Sequence, residues 1–584
     1  MGKKAANENG RNCETMKELL KISPYFLKDS EIDWVYDTLA GMSQEDKIRQ
    51  MFCSIAYTDN EQYLKTIADQ KLGGLMCRPM SSGELVNLTR ILQENSEIPM
   101  FIAGNMEAGM NTCCTTGTRV GCQMAIAATD DVHYATELGR IIGEEAEALG
   151  MNWAFAPVVD IDYNWRNPIT NTRTYGSNPE TVAAMGAAYV TEVQKHGVAA
   201  SIKHFPGDGV DERDQHLVTS INSLSAQEWM DSYGMVYKRC IDAGALTVMA
   251  GYMMQPAWSR ELNPRLKDEE ILPGALSHEL LTGLLRGKLG FNGTIITDSS
   301  AMAGLGSAMS RKNALPTCIN AGCDMILFAR NMEEDLGFIR TAVETGVISQ
   351  QRLNEAVIRI LALKAALKLP QKKQNGTIAA DAEKIARIVG CKEHLDVSRE
   401  VADRSITIVK EEPGVLPLTP QRYPRLLVYP KEAGATDLAF GVESRCSAVV
   451  ERLIAEGFQV DVFKPSKGFE GIEAPTTDVT DHYDALIYVA NYATKSNQTV
   501  VRLEWAQPMG ADCPMFLQDM PNIFISLENP YHLVDVPRMR TYINTYGATD
   551  EVLDELVAKL TGRSSFKGKS PVDAFCGKWD AHLM

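Results

Sequence analysis

Eight short apolar runs recur between residues 51 and 328, and stretches of helical periodicity lie between them. The runs are MFCSIA (51–56), GGLMC (73–77), PMFIAG (99–104), WAFAPVV (153–159), AASIKHF (199–205), LTVMAGY (246–252), GTIITD (293–298) and CDMILF (323–328), rich in β-branched and small residues. Segments 134–149, 179–195, 226–243 and 331–344 between them are amphipathic. Strand–helix alternation predicts a parallel sheet covered by helices, and eight strands are the count of a (β/α)8 barrel. An open doubly wound sheet is the competing arrangement. It would usually carry a Gly-rich phosphate loop after its first strand, and neither GxGxxG nor GxxxxGK[ST] occurs.

After a helix expected over 351–369 comes PQKKQNGT, a polar, Pro/Gly-marked stretch that reads as a domain boundary. A second alternating region follows, with strands expected at RLLVYP (425–430), QVDVFKP (459–465), ALIYVAN (485–491) and NIFISLEN (522–529) and helices at 445–456 and 550–560. The expected class is therefore α/β: a TIM-like barrel over 1–370, a linker over 371–399, and a smaller α/β sandwich domain with a mainly parallel sheet over 400–584.

Charge and cysteine usage narrow the function. With 58 Lys+Arg against 75 Asp+Glu the net charge is −17, a poor match to nucleic acid or anionic membranes. The 13 cysteines include no CxxC pair and no zinc-site spacing, and Cys113-Cys114 reads as two small buried side chains. The N-terminus has lysines without an apolar segment behind them, Ala6 stands where a myristoylation signal wants Ser or Thr, and no run reaches the length of a membrane span. The expectation is a cytoplasmic, soluble protein with reduced thiols, no metal and no cofactor.

In such barrels chemistry sits at the C-terminal ends of the strands. Those ends carry Asn105 and Glu107, Asp160 and Asp162, Lys203, His204, Asp214 and His216, and Asp298. A single polar strand end is normally the start of a solvated loop, but carboxylates, a Lys and two His converging on one rim suit acid–base and covalent chemistry on a polar, uncharged substrate. The sharpest segment is Lys203-His204-Phe205-Pro206-Gly207-Asp208-Gly209 through Asp214-Gln215-His216. Pro-Gly-x-Gly turns the chain into a loop, and Asp214 stands where its carboxylate can orient the His216 imidazole as acid and then base.

KHFPG, a second Gly, four residues and D-x-H resemble the signature of glycoside hydrolase family 3, in particular its bacterial β-N-acetylglucosaminidase branch. FAPVVD (155–160), NPITNTRTYGSNPE (167–180) and GTIITDSSAMAG (293–304) follow the family order, and the likeness extends loosely to SLENPYHLVDVP (526–537). The resemblance implies a retaining exo-glycosidase acting on terminal non-reducing β-N-acetylglucosamine through a covalent glycosyl-aspartate. It implies Asp298 as nucleophile, His216 as acid/base supported by Asp214, and Arg173, Lys203 and His204 as holders of the sugar.

Three departures bear on the sugar. The family's Asp-x-Glu-Gly-Gly is here Asn105-Met106-Glu107-Ala108-Gly109, which removes a charge; Glu107 reads equally as sugar ligand or structural acceptor. The Arg that usually follows has only Arg119 as a weak match, and Asp208 stands where His is frequent. Competing readings are a phosphorylase of the same fold, since an imidazole repels phosphate less than a carboxylate, a β-glucosidase or β-xylosidase, and a non-catalytic sugar-binding protein. Trp153 and Trp165 flank the site, either to stack on sugar or to be buried. A glycoside is the expected partner, with a homodimer left open, and the run 368–374 reads as solvated linker.

Overall fold

The computed structural model describes residues 16–432, 444–467, 470–494 and 496–584; the N-terminal features, with Ala6 and Cys13, lie outside the described residues. The chain forms two compact units. One comprises Met1–Arg119, Ala135–Ile161 and Pro179–His394, the other Val120–Tyr134, Asp162–Asn178 and Leu395–Met584.

The first unit is the expected closed barrel. Its strands are β1 (Phe52–Ala56), β2 (Gly74–Cys77), β3 (Phe101–Gly104), β4 (Trp153–Ala154), β5 (Ala199–Phe205), β6 (Thr247–Ala250), β7 (Thr294–Ser299) and β8 (Met325–Leu327). They pair in sequence order, all parallel, and β8 closes onto β1. Every residue of β2, β3, β5 and β6 is buried, because helices cover the outer face of the parallel sheet while side chains fill the inside. Trp153 is fully buried, donates from Nε1 to Thr247 Oγ1 at 2.9 Å, and meets Phe101 edge-on at 4.9 Å. It belongs to the barrel core, the burial alternative for that residue.

Two parallel pairings carry a register shift. Lys203 and Phe205 of β5 face the consecutive residues Met249 and Ala250 of β6, so His204 is an extra residue in its strand. Ile296 and Ser299 of β7 face Met325 and Leu327 of β8, which places an extra residue in the β7 segment holding Asp298. Such bulges re-aim side chains locally.

The chain after β8 is helical. Ser349 caps the helix Gln350–Ala366 through its side chain. Residues expected as linker hold the short helices Leu369–Gln374 and Ala382–Ile388 and the start of Lys392–Ser405. Lys373 in the 368–374 run donates to the Ser96 carbonyl at 2.7 Å and also to Gln93 O. That lysine is therefore tied down rather than freely solvated, a correction to the linker reading of the run.

The second unit is built on a six-stranded sheet in the order β9 (Thr407–Lys410), β14 (Thr541–Asn544), β13 (Asn522–Ser526), β12 (Ala485–Asn491), β10 (Arg425–Glu432) and β11 (Gln459–Val462). Only β9 runs antiparallel to its neighbour. Successive residues of β12 enter opposite cores, Ile487 and Val489 on one face and Leu486, Tyr488 and Ala490 on the other, as a two-residue period requires. Among the described residues no helix is long and apolar enough to cross a membrane.

Candidate active site

At the C-terminal end of β7, Asp298 is 8% exposed. Its Oδ1 accepts the Ser299 backbone N–H at 2.7 Å, while Oδ2 is buried without a hydrogen-bond partner. A buried carboxylate oxygen with nothing to accept from is costly. Facing Oδ2 is the imidazole of His204, whose Nε2 lies at 3.9 Å.

His204 is aimed by Asp160, which follows β4. Asp160 Oδ2 binds His204 Nδ1 at 2.7 Å, and Oδ1 accepts the backbone N–H groups of His204 at 3.0 Å and Asp208 at 2.8 Å. The carboxylate assigns the proton to Nδ1 and turns Nε2 toward Asp298. Gly207 (φ +111°) follows in the turn, and a Cβ there would fall 2.2 Å from the Tyr233 ring, so the glycine of KHFPG is sterically required.

Lys203, also buried, points to the motif after β3. Its Nζ pairs with Glu107 Oε1 at 2.6 Å and reaches Asn105 Oδ1 at 3.4 Å. Glu107 is therefore the partner of Lys203, and the exposed Asn105 amide is held by its oxygen side. Backbone pairing of Gly109 with Arg119 and the Met110 N–H to Thr118 O bond at 2.9 Å fold the following loop back on this motif. Arg119 thus pairs with Gly109, the last residue of the motif.

The Asp214–His216 pair forms as its spacing predicts. Asp214 Oδ1 accepts the His216 backbone N–H at 2.8 Å and meets Nδ1 at 2.7 Å; the Asp214 side chain is fully buried and that of His216 is 23% exposed. The imidazole is oriented through Nδ1, leaving Nε2 for the open side. The loop is tied to the segment after β7, Ala303 N–H donating to His216 O at 3.0 Å.

Three of the residues singled out in sequence, Asp162, Trp165 and Arg173, fall in the second unit. Arg173 ends the 3-10 turn Asn171–Arg173, its Nη1 donating to Ile169 O at 3.2 Å. Asp162 anchors this same loop rather than offering a carboxylate for chemistry. It accepts from Thr170 Oγ1 at 2.6 Å, from Asn171 N at 3.2 Å and from the Tyr531 hydroxyl, and burial raises its carboxyl pKa against those hydrogen bonds. Trp165 is half-buried between Arg166 and Arg502, 4.6 and 5.4 Å from its ring. Sequence reasoning placed Asp160 on the rim without its His204 partnership and did not single out Tyr252 or Gln215, whose contacts come from residues dozens of positions away.

Known proteins resemble this chain in sequence and fold. A family model described as "Glycosyl hydrolase family 3 N terminal domain" matches residues 43–363. The chain is 50% identical over 568 residues to a beta-N-acetylglucosaminidase/beta-glucosidase of Cellulomonas fimi, covering 97% of this chain and 100% of that one. The solved structure of the beta-glucoside phosphorylase BglX superposes with a TM-score of 0.90 at 42% identity, over 97% and 100% of the two chains. A family 3 beta-N-acetylglucosaminidase from Paenibacillus sp. str. FPU-7 superposes with a TM-score of 0.77 at 25% identity, over 91% and 99%.

Proposed function

The chain belongs to glycoside hydrolase family 3, and on that premise we propose that it is a retaining exo-glycosidase that releases terminal non-reducing β-N-acetylglucosamine, with β-glucose as the competing glycone. The observation that carries this reading is the unpartnered Oδ2 of Asp298, buried at a strand end and faced by His204. In the first step Asp298 Oδ2 forms a bond to the anomeric carbon as the bond to the aglycone oxygen breaks, and His216 gives that oxygen its proton. In the second, His216 takes a proton from water, the water oxygen bonds to the anomeric carbon, and Asp298 leaves. Lys203, His204, Asn105 and Glu107 form the rim that reads the sugar hydroxyls, and Asp214 keeps the imidazole oriented. The relatives named for both N-acetylglucosaminide and glucoside substrates support a glycone site that accepts either sugar. The twelve described cysteines are free thiols, which suits action in a reducing compartment such as the cytoplasm.

Initial rates on p-nitrophenyl β-N-acetylglucosaminide, β-N-acetylgalactosaminide, β-glucoside and β-xyloside test the glycone. Preference for the N-acetylglucosaminide supports the proposal, and turnover of the xyloside alone would overturn it. The same assays in phosphate test a second reading. His216 as base carries no negative charge to repel a phosphate dianion, and the relative superposing at a TM-score of 0.90 is named a phosphorylase. Formation of the sugar 1-phosphate at saturating phosphate would make phosphate, rather than water, the second-step nucleophile.

A further inference from the structure

The proposed mechanism divides its work between a nucleophile on a rigid strand and an acid/base on a loop, and the two must be held in one geometry. Misplacement by about 1 Å in such a pair costs on the order of 10²-fold in rate. One residue spans both. Tyr252, just beyond β6, donates its backbone N–H to Gln215 Oε1 at 2.8 Å and its phenol O–H to the main-chain carbonyl of Asp298 at 2.9 Å. Gln215 is the immediate neighbour of His216, and both Tyr252 and Gln215 are fully buried. β6 and β7 are paired neighbours, Ala250 opposite Thr297, so the residue after β6 is within reach of the nucleophile's backbone.

The fit around this bridge is tight. Gly304, six residues past the nucleophile, packs so closely on the loop that a Cβ would lie 2.2 Å from Gln215 O and 3.4 Å from Tyr252 Cβ. Thr219 Oγ1 donates to Gly304 O at 3.2 Å, on the far side of His216. Gln215 Nε2 has no hydrogen-bond partner, so the side-chain amide is held through its oxygen alone. A buried amide kept for one bond to Tyr252 is poorly explained by stability, because the orphan N–H works against it.

We propose that Tyr252 and Gln215 are positioning residues that lock the His216 loop to the Asp298 strand, setting the angle at which the acid meets the departing oxygen. The inference rests on the functional reading above. Burial pushes the Tyr252 phenol well above its ordinary value of 10, so it stays a donor throughout the working range.

Activated and unactivated leaving groups separate this role from a merely structural one. A 2,4-dinitrophenyl glycoside departs without an acid, whereas a methyl glycoside or a disaccharide needs one. Tyr252→Phe keeps the ring and removes the bond to Asp298 O; Gln215→Met keeps the length and removes the acceptor. Each variant is expected to lose roughly tenfold or more in kcat/KM on the methyl glycoside and less than about threefold on the dinitrophenyl glycoside. Equal losses on both substrates, or no loss on either, would overturn the proposal. If one variant does not fold, the other decides. An Asp298→Ala control rescued by azide keeps the tests apart: normal turnover in that control defeats the functional reading, whereas a dead, rescuable control beside indifferent Tyr252 and Gln215 variants defeats only this inference.

Discussion

Asp298 and Asp324 are both buried aspartates, at opposite ends of neighbouring barrel strands, and they are bonded in opposite ways. Asp324 immediately precedes β8, at the N-terminal end of the barrel, and is fully buried. Its Oδ2 accepts Arg286 Nη2 at 2.9 Å and the Ile295 N–H at 3.0 Å, and its Oδ1 accepts Arg352 Nη2 at 2.9 Å. Asp298, near the C-terminal end of β7, keeps one backbone donor and one orphan oxygen. Asp324 is tied down through both of its oxygens, whereas Asp298 keeps one oxygen without a partner, the oxygen we propose as nucleophile. This matches the division of labour between the two faces of such barrels.

The comparison breaks if the two aspartates respond alike to mutation. Asp298→Asn is expected to lower turnover on aryl glycosides by on the order of 10⁴-fold, with the melting midpoint unchanged or raised, since removing a strained polar site often stabilises a fold. Asp324→Asn is expected to destabilise the protein by about 3–5 kcal/mol, with kcat near normal in whatever fraction remains folded. Burial already holds the Arg286 guanidinium down to about 10, with Arg359 pushing the same way and Asp324 opposing it, so the arginine is left more exposed to that penalty without its partner. Circular-dichroism melts beside active-site titration read both effects. Loss of stability without loss of turnover in the Asp298 variant would invert the assignment.

The sequence was legible at both ends of the barrel for different reasons. All eight strands were readable because parallel strands covered on both faces are written as apolar runs. The exception in length is β4, two residues long although its run continues to Val159, because Pro157 has no N–H to give to a ladder. In the second unit β9 (TIVK) and β14 (TYIN) went unread, since four residues of mixed polarity carry too little pattern. Asp214 and His216 were readable because their bond is local, two residues apart. Asp160 with His204, Tyr252 with Gln215, and Asp324 with Arg286 and Arg352 are bonds across 28 to 44 residues, and only the closed barrel brings those partners together.

Asp214 sharpens the contrast, because it is a buried carboxylate bonded to the proposed acid/base. Its Oδ1 accepts from the His216 backbone N–H and meets Nδ1 of the same residue, so in the proposed mechanism it orients the imidazole. Asp214→Asn is expected to reduce kcat/KM on a methyl glycoside by roughly 10²-fold while sparing a dinitrophenyl glycoside, with little change in melting. A fall in stability comparable to that of the Asp324 variant would place Asp214 with the scaffold instead.

The smallest effect is expected at the scaffold end, where Lys364 is a buried amine that pairs with no carboxylate among the described residues. Its Nζ donates to Gln50 Oε1 at 2.7 Å and lies 5.0 Å over the Phe101 ring, and burial pushes its ammonium from 10.5 down to about 7. Between those values the unfolded chain holds a proton that the folded chain lacks, so raising the pH favours the fold by about 1.4 kcal/mol per unit. Below about 7 both states are protonated and the slope vanishes. Lys364→Met removes the titrating group while filling similar volume, so its stability should climb less steeply between pH 7 and 9 than that of the parent, by roughly 2–3 kcal/mol over the interval. Parallel stability curves would show that Lys364 is solvated or paired in solution. The barrel's scaffold end would then hold its charges as fully compensated as Asp324, leaving Asp298 as the uncompensated group in this comparison.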